Sequence, residues 1–431
     1  MADSIRFPDG FLFGTATASL QIEGGDKNNS WYRWCESGRI KDGSHCIRAC
    51  DHWNRVEQDI ALMRELNQQT YRMSLEWSRI EPSRGIFDDA VLSRYRSEIE
   101  KIIAAGIVPL VTLHHFSNPL WFEDSGGWTV PDAAQDFLRY TRRVVEALGD
   151  IVSDWVTINE PSVYLIQGYV FGDWPPGETS IPKVLRGARI MARAHILAYR
   201  AIHEIRSRSG FTDTMVGLAH HLRIYDSAGG VLSRWVAKLY YHLTQNMFVE
   251  ATTTGRFVFP LSGEELPERE QYLPDHGYFS DFLGVNYYTR DMIRFVFSPR
   301  LMFGRREVTA GAPVNDLGWE VYPEGLSRIV RMYAARYKLP IYITENGTCD
   351  RADTFRTEYI TDHLAELHTL IAEGFDIRRY YHWSLLDNFE WVEGESARFG
   401  LVAVDFTTQN RTVRESGRLY ARIAATRTVE R

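Results

Sequence analysis

Eight short runs of β-branched and apolar residues punctuate the chain, and most are followed by a longer stretch with apolar residues at helical intervals. The runs lie at 11–17, 70–74, 108–113, 155–158, 215–219, 282–286, 341–344 and 379–383. Segments this short and this apolar suit strands buried on both faces, and parallel strands need helical crossovers between them. The clearest helical patterns cover 53–66, 92–105, 133–148, 181–207, 325–337 and 358–373. In the last of these, Ile360, Leu364, Leu367 and Ile371 recur at three- and four-residue spacing and are predicted to face a sheet. Eight strands alternating with helices predict an α/β fold, a (β/α)8 TIM barrel. A length of 431 residues leaves room for extended loops at the carboxyl ends of the strands. No Ser/Pro/Gly linker, repeat or low-complexity tract divides the chain, so residues 1–431 read as a single domain.

Two stretches, 223–280 and 297–319, read as long loop insertions with some helix. In a barrel such excursions shape the substrate entrance. The strands themselves end in polar groups: Arg72 in the second, His115 after the third, Asn159 and Glu160 after the fourth, Tyr288 after the sixth, Glu345 after the seventh. Strands that should be apolar thus terminate in groups able to hydrogen bond or titrate, which marks the catalytic rim of a barrel. A lone strand-end glutamate reads best as the ion-pair partner of an arginine. Two of them, Glu160 and Glu345, on strands four and seven, suit acetal cleavage: one carboxyl protonates the departing oxygen while the other stabilises or captures the oxocarbenium-like centre.

Composition removes other classes. With 49 basic against 56 acidic residues, a net charge of -7 and no Lys/Arg run, the chain offers no track for a nucleic-acid backbone. The longest apolar stretch, 102–113, is broken by Gly106 and Pro109 and is too short for a membrane span. Residues 1–10 lack a basic end leading into an apolar core, so the expected compartment is the cytoplasm. Four unevenly spaced cysteines are expected to be reduced. His45, Cys46, Cys50 and His52 lack the tight paired spacing of zinc sites and read as packed thiols and structural histidines, so no metal is expected. No cofactor is required either, because a carboxyl pair supplies acid, base and nucleophile.

Specific motifs run in order along the whole chain: residues 11–19 (FLFGTATAS) leading to Gln21-Ile22-Glu23-Gly24, residues 72–80 (RMSLEWSRI), and Thr112-Leu113-His114-His115-Phe116. Asn159-Glu160-Pro161, Asn286-Tyr287-Tyr288, Thr344-Glu345-Asn346-Gly347 and residues 383–391 (WSLLDNFEW) follow. The set resembles glycoside hydrolase family 1, the β-glucosidase family. The resemblance implies a retaining β-glycosidase, with β-glucosidase activity first and β-galactosidase or β-fucosidase activity beside it. Substrates would be β-linked disaccharides, oligosaccharides or aryl and alkyl β-glycosides, cleaved by double displacement. It implies Glu160 as general acid/base and Glu345 as nucleophile. It also implies Gln21, His115, Asn159, Glu390 and Trp391 as hydroxyl binders, Trp383 as the aromatic platform and Phe399 as a further aromatic contact. On physical grounds Glu160 has to hold a proton at rest, which a partly desolvated site and the negative Glu345 favour. Glu345 has to stay ionised, which Arg72 and the Tyr288 hydroxyl favour.

The chain departs from the family at Phe116, where a tryptophan is common; the loss of an indole donor is expected to alter selectivity at one hydroxyl. Glu393 and Glu395 are expected to make the rim acidic. A 6-phospho-β-glycosidase is disfavoured because Glu390 would set a carboxylate against the phosphate. A plant-type thioglucosidase, with glutamine at the acid/base position, is excluded by Glu160. A silent carbohydrate-binding barrel is the alternative from another class, and the intact set of Glu160, Glu345, Arg72 and Tyr288 speaks against it.

Overall fold

The computed structural model describes residues 4–259, 262–272 and 277–430. Its centre is a closed barrel of eight parallel strands: β1 (Leu12–Ala16), β2 (Thr70–Ser74), β3 (Val108–His114), β4 (Asp154–Asn159), β5 (Met215–His221), β6 (Phe282–Tyr287), β7 (Ile341–Asn346) and β8 (Ile377–Trp383). Each strand pairs with its neighbours in sequence, and β8 closes on β1 with Arg379 opposite Leu12 and Trp383 opposite Ala16. All eight predicted runs are strands. Several continue past the predicted ends, through Asn159, His221 and Glu345-Asn346, because polar side chains at the carboxyl rim escape a criterion based on apolarity.

The helices between the strands are α1 (His52–Glu65), α2 (Asp89–Ala104), α3 (Ala133–Leu148), α4 (Ile181–Arg208), α5 (Met247–Thr254), α6 (Glu324–Ala334), α7 (Arg356–Ala372) and α8 (Glu415–Thr426). Their starts are chemically specified. Asp88 accepts from the amides of Ala90 and Val91 at the head of α2, and Ser180 caps α4, with a proline in its first turn. On α7, Ile360, Leu364 and Leu367 are fully buried as predicted, whereas Ile371 sits half-buried at the edge and Leu370 packs inward. A helix of 3.6 residues per turn rotates its apolar stripe over four turns.

The amino end of the barrel is sealed. Arg379 at the start of β8 reaches across the lumen to Asp154 at the start of β4, 2.8 Å away, and its guanidinium lies over the Tyr342 ring. The carboxyl end is therefore the open one. There the parallel registers slip between Val156 and Asn159, between Val285 and Asn286, and between Ile343 and Asn346. Such irregularities re-aim side chains at a barrel rim, and here they fall on the strands that carry Asn159, Asn286 and Glu345.

The predicted insertion at 223–280 holds more structure than a loop with some helix, although 260–261 and 273–276 lie outside the described residues. It contains α5, which belongs to the barrel wall, and a strand at Ile224–Ser227. That strand pairs in parallel with Arg290–Phe295, which pairs antiparallel with Gly304–Glu307, from the second insertion. The three-stranded sheet packs through Tyr225 and Ile293 onto the helix Val231–Tyr241. Among the described residues no helix is long and apolar enough to cross a membrane.

Candidate active site

A cavity of about 1080 Å³ opens at the carboxyl end of the barrel, and Glu160 and Glu345 both line it. Glu160 follows β4 with φ +43°, a left-handed conformation that a side chain resists. It is fixed by the Glu160 amide, which donates to Ala219 O at 2.8 Å, and by Pro161, which begins the short helix Pro161–Ile166. The carboxyl receives the Asn286 amide at 2.7 Å on Oε1, and His221 Nδ1 lies 3.2 Å from the same oxygen.

Glu345 is held on both oxygens. Arg72 Nη1 donates to Oε1 at 2.5 Å and the Tyr288 hydroxyl to Oε2 at 2.6 Å. Arg72 is itself buried and gives three further hydrogen bonds, to Thr112 Oγ1, Thr344 O and Asn159 Oδ1. Burial nevertheless pushes the Glu345 carboxyl above the usual range; the Arg72 charge and the two hydrogen bonds pull it down, while Glu160 pushes it up. Arg72 and Tyr288 favour the anion as expected, but desolvation by burial outweighs them.

Asn159 is the hub between the two carboxyls. Its Oδ1 accepts from Arg72 at 2.6 Å and from Asn286 at 3.0 Å, and its Nδ2 donates to His115 Nε2 at 3.0 Å. That bond leaves the proton of His115 on Nδ1, which has no partner among the described residues. Burial, with the Arg72 charge, holds His115 neutral. Its ring lies nearly parallel to Trp383 and Trp391, with centroids 5.8 and 5.9 Å away. Trp383 ends β8, and Gly347 permits its approach: a Cβ there would meet Trp383 O at 1.8 Å. Phe399 packs against Tyr288, 6.3 Å between centroids, and completes the aromatic wall.

Gln21 donates from Nε2 to Asn388 Oδ1, Phe389 O and Glu390 Oε2 at 3.0 to 3.2 Å, so its amide braces the segment that carries Glu390. Burial and the nearby Glu345 push Glu390 up to about 8 against its bonds to Trp383 and Gln21. Burial thus disfavours the Glu390 carboxylate on which the charge argument made from sequence relied. The acidic rim is met in part: Glu393 lines the cavity but pairs with Lys41, and Glu395 does not line it. Phe116, with φ +66°, presents no donor and packs edge-on against Trp174 and Trp391, 5.0 and 5.1 Å between centroids.

Of the residues proposed from sequence, Glu160, Glu345, Tyr288, His115, Trp383, Glu390, Trp391 and Phe399 line one cavity, and Arg72, Asn159 and Gln21 stand behind it, bonded to Glu345, His115 and Glu390. Sequence reasoning missed the roles of Asn286 and His221. Asn286 stood inside a quoted motif, and an amide in an otherwise apolar strand was the available signal; for His221 only its place at a strand end pointed there. The histidine and cysteine cluster is rearranged too. His52 is gripped by Asp59 and Glu98, 2.8 and 3.0 Å away, and the Cys50 thiol donates to Asp387 O. Cys35, which the sequence reading left aside, joins His45 and Cys46, with ligand atoms within 4.8 Å of one another. There His45 accepts the Ile47 amide on Nδ1 and meets Glu36 through Nε2.

The family model for glycosyl hydrolase family 1 matches residues 3–429. The chain belongs to glycosyl hydrolase family 1. It is an O-glycosyl hydrolase. It is 34% identical to beta-glucosidase A of Thermotoga maritima over 97% of both chains. It is also 34% identical to a beta-glucosidase of Agrobacterium, over 97% of this chain and 95% of that one. Among solved structures it resembles a beta-glycosidase from Pyrococcus horikoshii, with a TM-score of 0.90 and 35% identity over 100% of this chain and 97% of that one. It also resembles the Thermotoga maritima beta-glucosidase in complex with galacto-hydroximolactam, with a TM-score of 0.89 and 31% identity over 99% and 100% of the two chains.

Proposed function

We propose that this family 1 hydrolase is a retaining β-glycosidase, foremost a β-glucosidase, with Glu345 as nucleophile and Glu160 as general acid/base. The observation that carries the assignment is the asymmetry of the two carboxyls. Glu345 has both oxygens bound by donors, one of them cationic, as suits the member that works as an anion. Among the described residues Glu160 is bound on Oε1 alone, so Oε2 is the oxygen available for proton transfer.

In the first step Glu160 gives its proton to the glycosidic oxygen as the bond to the anomeric carbon breaks, and Glu345 closes on that carbon to form a glycosyl ester. Esterification removes the negative charge of Glu345, so Glu160, now a carboxylate, can take a proton from water as the water displaces the ester from the β face. Two inversions leave the β configuration intact. Gln21, His115, Asn159, Glu390 and Trp391 would bind sugar hydroxyls, with Trp383 and Phe399 packing on the ring and its substituents. Arg72 and Tyr288 hold the nucleophile in line.

The relatives named as β-glucosidases support glucose as the main glycone. The galacto-configured inhibitor bound by the Thermotoga maritima enzyme motivates β-galactosidase or β-fucosidase activity beside it. A 6-phosphorylated glycone fits less well, because the arginines lining the cavity among the described residues are Arg223 and Arg306, on the side of β5 and β6 rather than beside Glu390. A panel of aryl β-glycosides, including 6-phosphorylated ones, tests the reading: NMR of the first product formed should show the β-sugar. Glu345→Ala should lose hydrolysis and regain turnover with azide, giving the α-glycosyl azide. An α-sugar product from the native chain, or a β-azide from this variant, would overturn the roles.

A further inference from the structure

The outer part of the cavity carries a charge arrangement that the hydrolysis itself does not use. Arg223, two residues beyond β5, and Arg306, on the Gly304–Glu307 strand, both line the cavity wall. Both converge on one acid. Arg223 Nη1 donates to Asp291 Oδ2 at 2.7 Å, and Arg306 Nε lies 3.6 Å from the same oxygen. Among the described residues Asp291 is the sole ion-pair partner of either arginine, so two guanidiniums share one carboxylate and one positive charge is left over. Arg223 is 8% exposed, and its buried Nε has no hydrogen-bond partner among the described residues. A buried donor left unsatisfied is destabilising, so it points to an acceptor that arrives from outside the chain.

The place of this pair defines what that acceptor belongs to. The leaving group departs on the side of the proton donor, and the Glu160 carboxylate is near enough to Arg223 to favour its charge. Glu390 and Gln21 lie instead with the segment after β8, on the glycone side. The wall of the same cavity also carries the aromatic and apolar Trp319, Leu317 and Phe171. Arg223, Asp291 and Arg306 are fixed by the three-stranded sheet at the barrel mouth, in which Asp291 pairs with Tyr225 and Ile293 with Arg306.

We propose that the aglycone half of the cavity selects an aryl group bearing a carboxylate, with Arg223 and Arg306 as its specificity-determining residues. The apolar wall takes the ring, and the carboxylate reaches the surplus guanidinium charge and the free Arg223 donor. The inference rests on the β-glucosidase reading and adds the class of leaving group.

The test compares para-(carboxymethyl)phenyl and para-(carbamoylmethyl)phenyl β-glucosides, which match in shape and differ in charge on a group insulated from the phenol oxygen. The native chain should favour the carboxylate by about tenfold in kcat/KM, a preference that falls as salt is added. In Arg306→Gln and Arg223→Gln the ratio should collapse toward one. A purely structural role for the pair would lower both substrates equally and leave the ratio standing, which would overturn the inference, as would equal rates in the native chain. Turnover of either substrate separates the two levels. Without it the glycosidase reading itself fails; with it and no carboxylate preference, only the leaving-group inference fails.

Discussion

Replacing Tyr288 with phenylalanine removes one oxygen and little volume, and isolates what the hydroxyl does for Glu345. The bond is short, 2.6 Å, and Tyr288 is so buried beside the two carboxyls that its own pKa lies well above the ordinary 10, so it remains a donor wherever the enzyme can be assayed. A hydrogen bond to a charged group is worth about 1.5–3 kcal/mol, and about 1.4 kcal/mol corresponds to one pH unit. Because Arg72 stays in place on the other oxygen, the lower end applies, a rise of roughly one unit in the Glu345 pKa. The sign follows from the role. A nucleophile works ionised, so under the role proposed for Glu345 raising its pKa moves the acid limb of kcat/KM toward higher pH. On the acid side Tyr288→Phe should lose about tenfold, while on the plateau the loss should be smaller, because the charge that the hydroxyl supports is leaving Glu345 in the transition state. Initial rates with para-nitrophenyl β-glucoside well below KM, measured across the acid limb, read this directly. A uniform loss with the limb unmoved would show that Tyr288 positions substrate and does not hold charge.

Two further outcomes follow from the same geometry. Glu160→Ala should lose about 10²- to 10⁴-fold on glucosides with poor leaving groups and far less on activated aryl glucosides, since only the former need a proton from the acid; equal losses in kcat/KM would count against Glu160 as the donor. Away from the site, burial pulls His52 down, but Glu98 and Asp59 on either side push it up to about 10. A base whose folded pKa is raised stabilises the fold fully below its ordinary value, and the contribution is lost as pH rises toward the folded value. The native chain should therefore lose on the order of several kcal/mol as pH climbs from the ordinary value of about 6.5 toward 10. His52→Gln should flatten that dependence in calorimetric melting; an unchanged slope would mean that the imidazolium is not the source.

The comparison of sequence with structure is most instructive where one residue was read twice. Glu390 was singled out from its motif and lines the cavity, but the upward push on its carboxyl comes from burial and from Glu345, and neither is written in its neighbours along the chain. Glu393 was seen as an acidic rim group, and Lys41, far away in sequence, pairs with it. Asn286 and His221 stood in view as polar residues near strand ends, but their bearing on Glu160 required the register slip at Asn286 and the adjacency of β5 to β4 and β6. Cys35 joined His45 and Cys46 only because the helix Ser30–Glu36 folds back over that loop.

By itself the sequence determined the order of eight strands, the helical crossovers between most of them, and the pair Glu160 and Glu345 with Arg72, Asn159, Tyr288 and the tryptophans at the strand ends. These are local properties: apolar periodicity and chemically odd residues at the ends of buried runs survive in one dimension. The tertiary structure alone decided which oxygen each donor reaches, how burial and neighbouring charges push Glu345 and Glu390, and that Arg223 and Arg306 share a single Asp291. Those follow from barrel closure, which brings distant segments within hydrogen-bond distance and strips water from them, and the resulting desolvation and charge energies depend on three-dimensional neighbours that the linear order does not contain.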